Sequence, residues 1–345
     1  MKMIFRWFGD HDPVTLAKIR QIPVIKGIVS TLTDIPTGEV WPQNRVIELK
    51  EQVEKEKLKL SVIESIPIHE DIKSGKKSRD KYIENYCTSI RNVSETGVEV
   101  IVYNFMPIFD CTRSNYYHPN PDGSSSMIYE HKNVQNLNVH EKSDELPVWA
   151  RYYKQKELDA LLDDYKNVDE KQLWKNLQYF LESVIPVAEE CGIKMAIHPD
   201  DPPWAISGLP RIINSAEAIK RVIKLVDSPA NGISLCTGSL GANRSVKLSE
   251  LVKYLIKKDR LPFIHIRNIK YLNGIDFKET SHISEKGDLD IKAIVKVLAK
   301  NDFNGFIRPD HGRQIWGEKS IPGYGLNDRA LGAMYLYGLW DAYNN

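Results

Sequence analysis

His198, Cys236, His265 and Asp310 each close a short apolar run, in IKMAIHPD, GISLCTG, FIHIRN and GFIRPDHG. Imidazole, thiolate and carboxylate are the side chains that bind transition metals. Neighbours in this set are separated by about 30 residues or more, the length of one strand plus its return helix. The pattern reads as four metal ligands at the ends of four consecutive βα units. Two histidines, a thiolate and a carboxylate suit a divalent transition metal better than Mg²⁺, which prefers oxygen ligands. Ligand type alone leaves Zn²⁺, Fe²⁺, Co²⁺ and Mn²⁺ open. A tetrahedral Zn²⁺ would be closed by four protein ligands, so substrate chemistry favours Fe²⁺, Mn²⁺ or Co²⁺.

Three further residues could act beside such a metal. Arg308, two positions before Asp310, offers a planar donor fork to a carboxylate; pairing with a barrel carboxylate is the competing use. His311 follows Asp310 directly, leaves the strand in another direction, and could serve as general acid or base. Tyr324 lies in PGYG, a turn that could close on substrate or merely pack. A single buried histidine is more often a hydrogen-bonded core residue, and a single cysteine a small hydrophobe. Four potential ligands on one inward face at one end of four strands make that ordinary explanation the weaker one.

The elements that must carry these residues can be counted. Four earlier apolar runs, near 3–9, 24–30, 60–65 and 98–105, bring the expected strands to eight. Helical periodicity lies between most of them. Ile219, Val222, Ile223 and Val226 keep the i, i+3, i+4, i+7 spacing after a capping-box-like start at Asn214 and Glu217. Ile291, Ile294, Val295 and Leu298 repeat the pattern, and Leu173, Leu177, Leu181, Val184 and Ala188 precede the fifth strand. Eightfold alternation predicts a (β/α)₈ TIM barrel occupying 1–345 as a single domain, with an open doubly wound sheet as the alternative. No GxGxxG or P-loop follows the first strand, which weakens that alternative. A long segment rich in Asn, Pro, Ser and Tyr, 106–166, interrupts the rhythm after strand four and is expected to be a lid over the barrel mouth.

Strand alternation then assigns faces. In FIHIR, Phe263, His265 and Arg267 share one face and Ile264 and Ile266 the other. If the isoleucines meet the helices, the histidine and arginine point into the barrel. The same count puts Ser234 with Cys236, and Phe306 with Arg308 and Asp310. Carboxyl ends of strands are where this fold places its active sites.

With 345 residues, 42% hydrophobic and 27% charged, the chain has the composition of a globular protein. Its 47 basic and 46 acidic residues leave no electrostatic footprint for nucleic acid. No apolar stretch is long enough for a membrane span, and Asp10 interrupts the N-terminal apolar residues too early for a secretory signal. A cytoplasmic location is expected. Cys87, Cys111, Cys191 and Cys236 contain no CxxC pair and are expected to be reduced. Leu336, Leu339 and Trp340 on the last helix leave room for a homo-oligomer, a dimer by expectation.

The runs FRWFG, GIVSTLTDIPTGEVW, VIESIPIHEDIK, YNFMPIFD, AIHPDDPP, GLPRI, LCTGSLG, HIRN and RPDHGR extend from the first strand to the final helix. Together they closely resemble the mannonate dehydratase family, one of the xylose-isomerase-like barrels. The resemblance implies dehydration of D-mannonate, a small sugar acid, to 2-keto-3-deoxy-D-gluconate in hexuronate breakdown. It implies a metal on His198, Cys236, His265 and Asp310, and dependence on Mn²⁺ or Fe²⁺. Under this reading His311 and Tyr324 exchange protons with the substrate and Arg308 fixes its carboxylate. A metal-dependent sugar or sugar-acid isomerase or epimerase of the same barrel is the alternative, and a noncatalytic sugar-acid or metal binder is a third.

Overall fold

The computed structural model describes residues 1–135 and 155–344. Among the described residues, twelve strands form two sheets: β1 (Lys2–Arg6), β2 (Gly27–Ser30), β3 (Lys59–Glu64), β4 (Val100–Tyr103), β5 (Asn115–Pro119), β6 (Ser125–Tyr129), β7 (Lys194–Ile197), β8 (Asn231–Cys236), β9 (Phe263–Ile266), β10 (Ile269–Tyr271), β11 (Phe277–Glu279) and β12 (Phe306–Pro309). Eight of them close into the expected barrel, in the order β1-β12-β9-β8-β7-β4-β3-β2. Closure comes from the parallel pairing of β1 with β12, which sets Lys2 against Phe306 and Met3 against Ile307.

Alternation sorts the barrel strands into two layers. Ile4, Val29, Val62, Val100, Val102, Ala196, Phe263 and Phe306 pack together as one buried cluster. Ile28, Ile101, Ile197, Leu235, Ile264, Ile266 and Ile307 belong to the larger core that includes the helices. Phe263 and Phe306 therefore face inward and the flanking isoleucines outward, as the period of two requires. Register does the rest: Cys236 lies beside His265 across β8 and β9, and His265 beside Arg308 across β9 and β12.

The helices bury the stripes read from the sequence. Leu173, Leu177, Leu181, Val184 and Ala188 are buried along Glu170–Glu190. In Ala216–Leu225, Ile219, Val222 and Ile223 face the barrel. Its cap is Ser215, whose hydroxyl accepts from Ala218 N at 3.1 Å, one residue beyond the expected start. Asn214 instead donates to the Arg211 carbonyl at 3.0 Å. The last helix, Leu326–Asn344, also corrects an expectation. Leu336 is buried, and Leu339 and Trp340 pack against the same core. The apolar residues this helix exposes are Leu331, Met334 and Tyr337.

The described part of the interruption after β4 contains regular structure. Hairpin β5–β6 joins β10 and β11, which follow barrel strand β9, in a four-stranded sheet of order β10-β11-β6-β5. Residues 136–154 of the 106–166 segment lie outside the described residues. Inner strand β6 buries Met127, Ile128 and Tyr129, whereas edge strand β5 alternates. Tyr129 stacks on Phe277 of β11 with ring centroids 5.4 Å apart. Among the described residues no helix is long and apolar enough to cross a membrane.

Buried ion pairs fasten this cap sheet to the barrel. Arg113, just before β5, is fully buried and grips Asp201 with a fork of 2.8 and 3.0 Å. Its Nη2 also reaches Glu279, the last residue of β11, at 2.8 Å. Burial by itself would push the Glu279 carboxyl up, but the charges of His311, Arg267 and Arg113 outweigh it and hold the group at about 2. A folded value below the unfolded 4.5 means that ionised Glu279 stabilises the fold fully above about pH 4.5. That contribution is lost as pH falls through about 2. The gap in thermal midpoint between the wild type and Glu279→Gln should accordingly narrow across this window; a gap independent of pH would contradict the assignment.

Gly238 tests the packing at the barrel mouth. It lies in the helix Thr237–Ala242 that follows β8. A Cβ there would overlap the Arg267 guanidinium, which cannot swing away because carboxylates hold it on two sides. Overpacking of this kind costs roughly 1–3 kcal/mol. Gly238→Ala should lower the urea midpoint by a corresponding amount, and an unchanged midpoint would show that the guanidinium is free to move.

Candidate active site

His198, Cys236 and His265 meet at the carboxyl ends of β7, β8 and β9. Their ligand atoms lie within 4.8 Å of one another. His198 continues the β4–β7 ladder, its backbone N–H donating to the Tyr103 carbonyl at 2.7 Å. Its Nδ1 lies 2.7 Å from the Pro199 carbonyl. A carbonyl can only accept, so Nδ1 carries the proton and Nε2 keeps a lone pair. His265 is held well below the usual histidine range, by burial first and by the Arg308 charge second. It is therefore neutral, as a metal ligand must be.

Asp310 borders the cluster, and its oxygens are already engaged. Oδ2 lies 3.6 Å from the Cys236 sulfur, and Oδ1 accepts from Arg308 Nη2 at 2.8 Å. Burial opposes its ionisation, yet His311, Arg308 and Arg267 keep it well below the ordinary carboxylate range. Burial pushes the Cys236 thiol up to about 11, against the opposing charge of Arg267. A divalent cation would supply the missing positive charge and favour the thiolate. Two imidazoles, a sulfur and an ionised carboxylate thus fit a divalent transition metal.

A second constellation lies beside the first. His311 Nε2 is 3.0 Å from the Tyr324 hydroxyl, and its Nδ1 is 3.1 Å from Glu279 Oε2. Arg267 ties the two constellations together. Its guanidinium donates to Asp201 Oδ2 at 2.7 Å, Glu279 Oε1 at 2.9 Å and Ser239 Oγ at 2.9 Å, and its Nε lies 3.6 Å from Asp310 Oδ2. Arg308, whose fork the sequence offers to a substrate, turns it between Asp310 and Glu64. Its Nη1 lies 2.9 Å from Glu64 Oε2.

These groups surround a cavity of about 790 Å³. Arg6, His198, Arg267, Arg308, Asp310, His311 and Tyr324 line its barrel side, and Cys111, Tyr116 and Met127 of the 106–166 segment line the other. Several lining groups hold buried atoms without an aligned hydrogen-bond partner, among them Glu64 Oε2, Asp110 Oδ1, and Arg308 Nε and Nη1. Sequence reasoning passed over Glu64, Arg113, Asp201 and Glu279 as site residues. Asp201 had a signal, since it stands three positions after His198 in HPDD. Glu279 had none, because a three-residue strand shows no periodicity.

A family model described as D-mannonate dehydratase (UxuA) matches residues 1–345. The chain is 53% identical to a mannonate dehydratase of Geobacillus thermodenitrificans, with 100% of this chain and 95% of the relative covered. It is 51% identical to one of Thermotoga neapolitana, with 99% and 98% covered. The crystal structure of mannonate dehydratase from Streptococcus suis superimposes with a TM-score of 0.92 at 48% identity, covering 99% of this chain and 95% of that one. A D-psicose 3-epimerase from Clostridium cellulolyticum H10, at 13% identity and a TM-score of 0.57, shares the fold alone. Matched from end to end and identical at about half its positions to these relatives, the chain belongs to the D-mannonate dehydratase family.

Proposed function

We propose that this protein dehydrates D-mannonate to 2-keto-3-deoxy-D-gluconate and water, a step in hexuronate breakdown. The observation that carries the reading is a metal-competent cluster and a proton-transfer pair opening into one cavity, in a chain of this family. His198, Cys236, His265 and Asp310 are the residues that would hold a divalent ion, Mn²⁺ or Fe²⁺ in preference, with Co²⁺ as a third. When bound, such an ion supplies Lewis-acid stabilisation of the negative charge that develops beside the substrate carboxylate.

The chain's own residues account for the proton movements. His311 Nε2 takes the proton from C2, and the electron pair left behind forms a C2–C3 double bond as the C3 hydroxyl departs. Tyr324 protonates that hydroxyl, which leaves as water. Burial pushes the Tyr324 phenol above its usual value, so it carries its proton at neutral pH and can donate it. The enol product then tautomerises to the 2-keto acid. Arg308 orients Asp310 and Glu64 and helps keep Asp310 ionised, and its Nε remains to meet a substrate carboxylate.

Two features of the molecule support further parts of the reading. The described cysteines are free thiols, the state a reducing cytoplasm maintains. Leu331, Met334 and Tyr337 offer apolar surface on the last helix for a homodimer.

Metal-loaded protein incubated with D-mannonate should release a 2-keto-3-deoxy acid. No product with Mn²⁺, Fe²⁺ or Co²⁺ would refute the dehydratase reading, and an isomeric product would favour an isomerase or epimerase. Cys236→Ser should lose bound metal and turnover together. His311→Asn and Tyr324→Phe should keep the metal while kcat falls by about 10²–10⁴-fold, the usual worth of a general acid or base. Near-wild-type turnover in either would remove that residue from the mechanism.

A further inference from the structure

The carboxylate that fastens the cap sheet also touches the proton-transfer pair. Glu279 is 1% exposed, and its carboxylate lies between two arginines and His311. Oε1 accepts from Arg113 Nε at 3.1 Å, Arg113 Nη2 at 2.8 Å and Arg267 Nη1 at 2.9 Å. Both oxygens also reach His311 Nδ1, Oε2 at 3.1 Å and Oε1 at 3.2 Å. Arg267 Nη1 lies 2.6 Å from the same Nδ1.

One nitrogen cannot serve both neighbours. With a proton, Nδ1 donates to Glu279; without one, it accepts from Arg267. The first arrangement of the neutral ring leaves the lone pair on Nε2, the atom 3.0 Å from the Tyr324 hydroxyl. The second puts the proton on Nε2, where nothing is then left to accept one from substrate.

We propose that Glu279 is a positioning residue that fixes His311 in its Nδ1–H form, so that Nε2 is the proton acceptor. The cap sheet, which carries Glu279 on β11 and pairs it with Arg113 ahead of β5, then sets the protonation pattern of a barrel residue as well as covering the cavity. This rests on the acid–base role of His311 argued above.

Glu279→Gln tests it with almost no change in shape. Three N–H groups of Arg113 and Arg267 face the Oε1 position, so the amide oxygen stays there, 3.2 Å from His311 Nδ1, and the NH₂ takes the Oε2 position, 3.1 Å from it. The variant thereby removes the carboxylate charge and sets a donor beside Nδ1, which favours the tautomer with a protonated Nε2. Expected are a fall in kcat of about 10²-fold or more, the low end of the worth of a general base, and a KM for D-mannonate and metal content close to wild type. Added to His311→Asn, it should cause no further loss. A kcat near wild type, or losses that multiply in the double variant, would overturn the proposal. Full turnover by His311→Asn alone would instead overturn the role of His311 on which it rests. Imidazole nitrogen NMR of the Zn²⁺-loaded wild type at neutral pH reads the tautomer without any variant. An Nδ1 that carries the proton is expected, and a neutral ring with an unprotonated Nδ1 would contradict the proposal even if Glu279→Gln failed to fold.

Discussion

Arg267 is a guanidinium that is 1% exposed at the mouth of a barrel, and a charge so placed must be paired or it costs more than the fold can supply. Its partners come from different parts of the chain. Asp201 follows β7, Glu279 ends β11 in the cap, Asp310 follows β12, and Ser239 lies in the helix after β8. The Cys236 sulfur is 3.5 Å from Nη2. One cation thus touches the candidate metal cluster, the carboxylate behind His311 and the sheet that closes the cavity. Gly238 lacks a Cβ where the guanidinium passes, so the backbone of β8's following helix is shaped around this same charge.

Arg308 repeats the arrangement one strand over, between Glu64 and Asp310. His311 and the two arginines keep Asp310 ionised in a site where burial would otherwise protonate it. Arg308 also helps burial keep His265 neutral. His265 and Asp310 are therefore in the protonation state that metal binding requires. The Cys236 thiol is not, because burial keeps it protonated until positive charge arrives. The barrel supplies rigid positions, and the arginines supply the charge balance.

Much of this was legible from short-range pattern. A period of two separated Phe263 and His265 from Ile264 and Ile266, and the separation holds in the two buried layers. The apolar stripes of Glu170–Glu190 and Ile291–Lys300 were read correctly for a comparable reason, since helical faces repeat locally. Boundaries were less secure. Ser215, not Asn214, caps its helix, because both residue types can accept from a free backbone N–H and only the local backbone path decides between them. Leu336 had looked available for a partner, but the packing of its helix onto the core takes it.

The strand ends, their inward faces and the four candidate ligands follow from the sequence by itself, because alternation and βα spacing are properties of consecutive residues. What only tertiary structure decided is who pairs with whom. Arg113 and Glu279 stand 166 positions apart, and Arg308 and Glu64 stand 244 apart. Strands of three residues join an insertion after β4 to a loop after β9. Periodicity reports which way a side chain points and says nothing about the charge it will meet. Buried ion pairs are set by barrel closure and by docking of the cap, when desolvation forces each charge to find a partner.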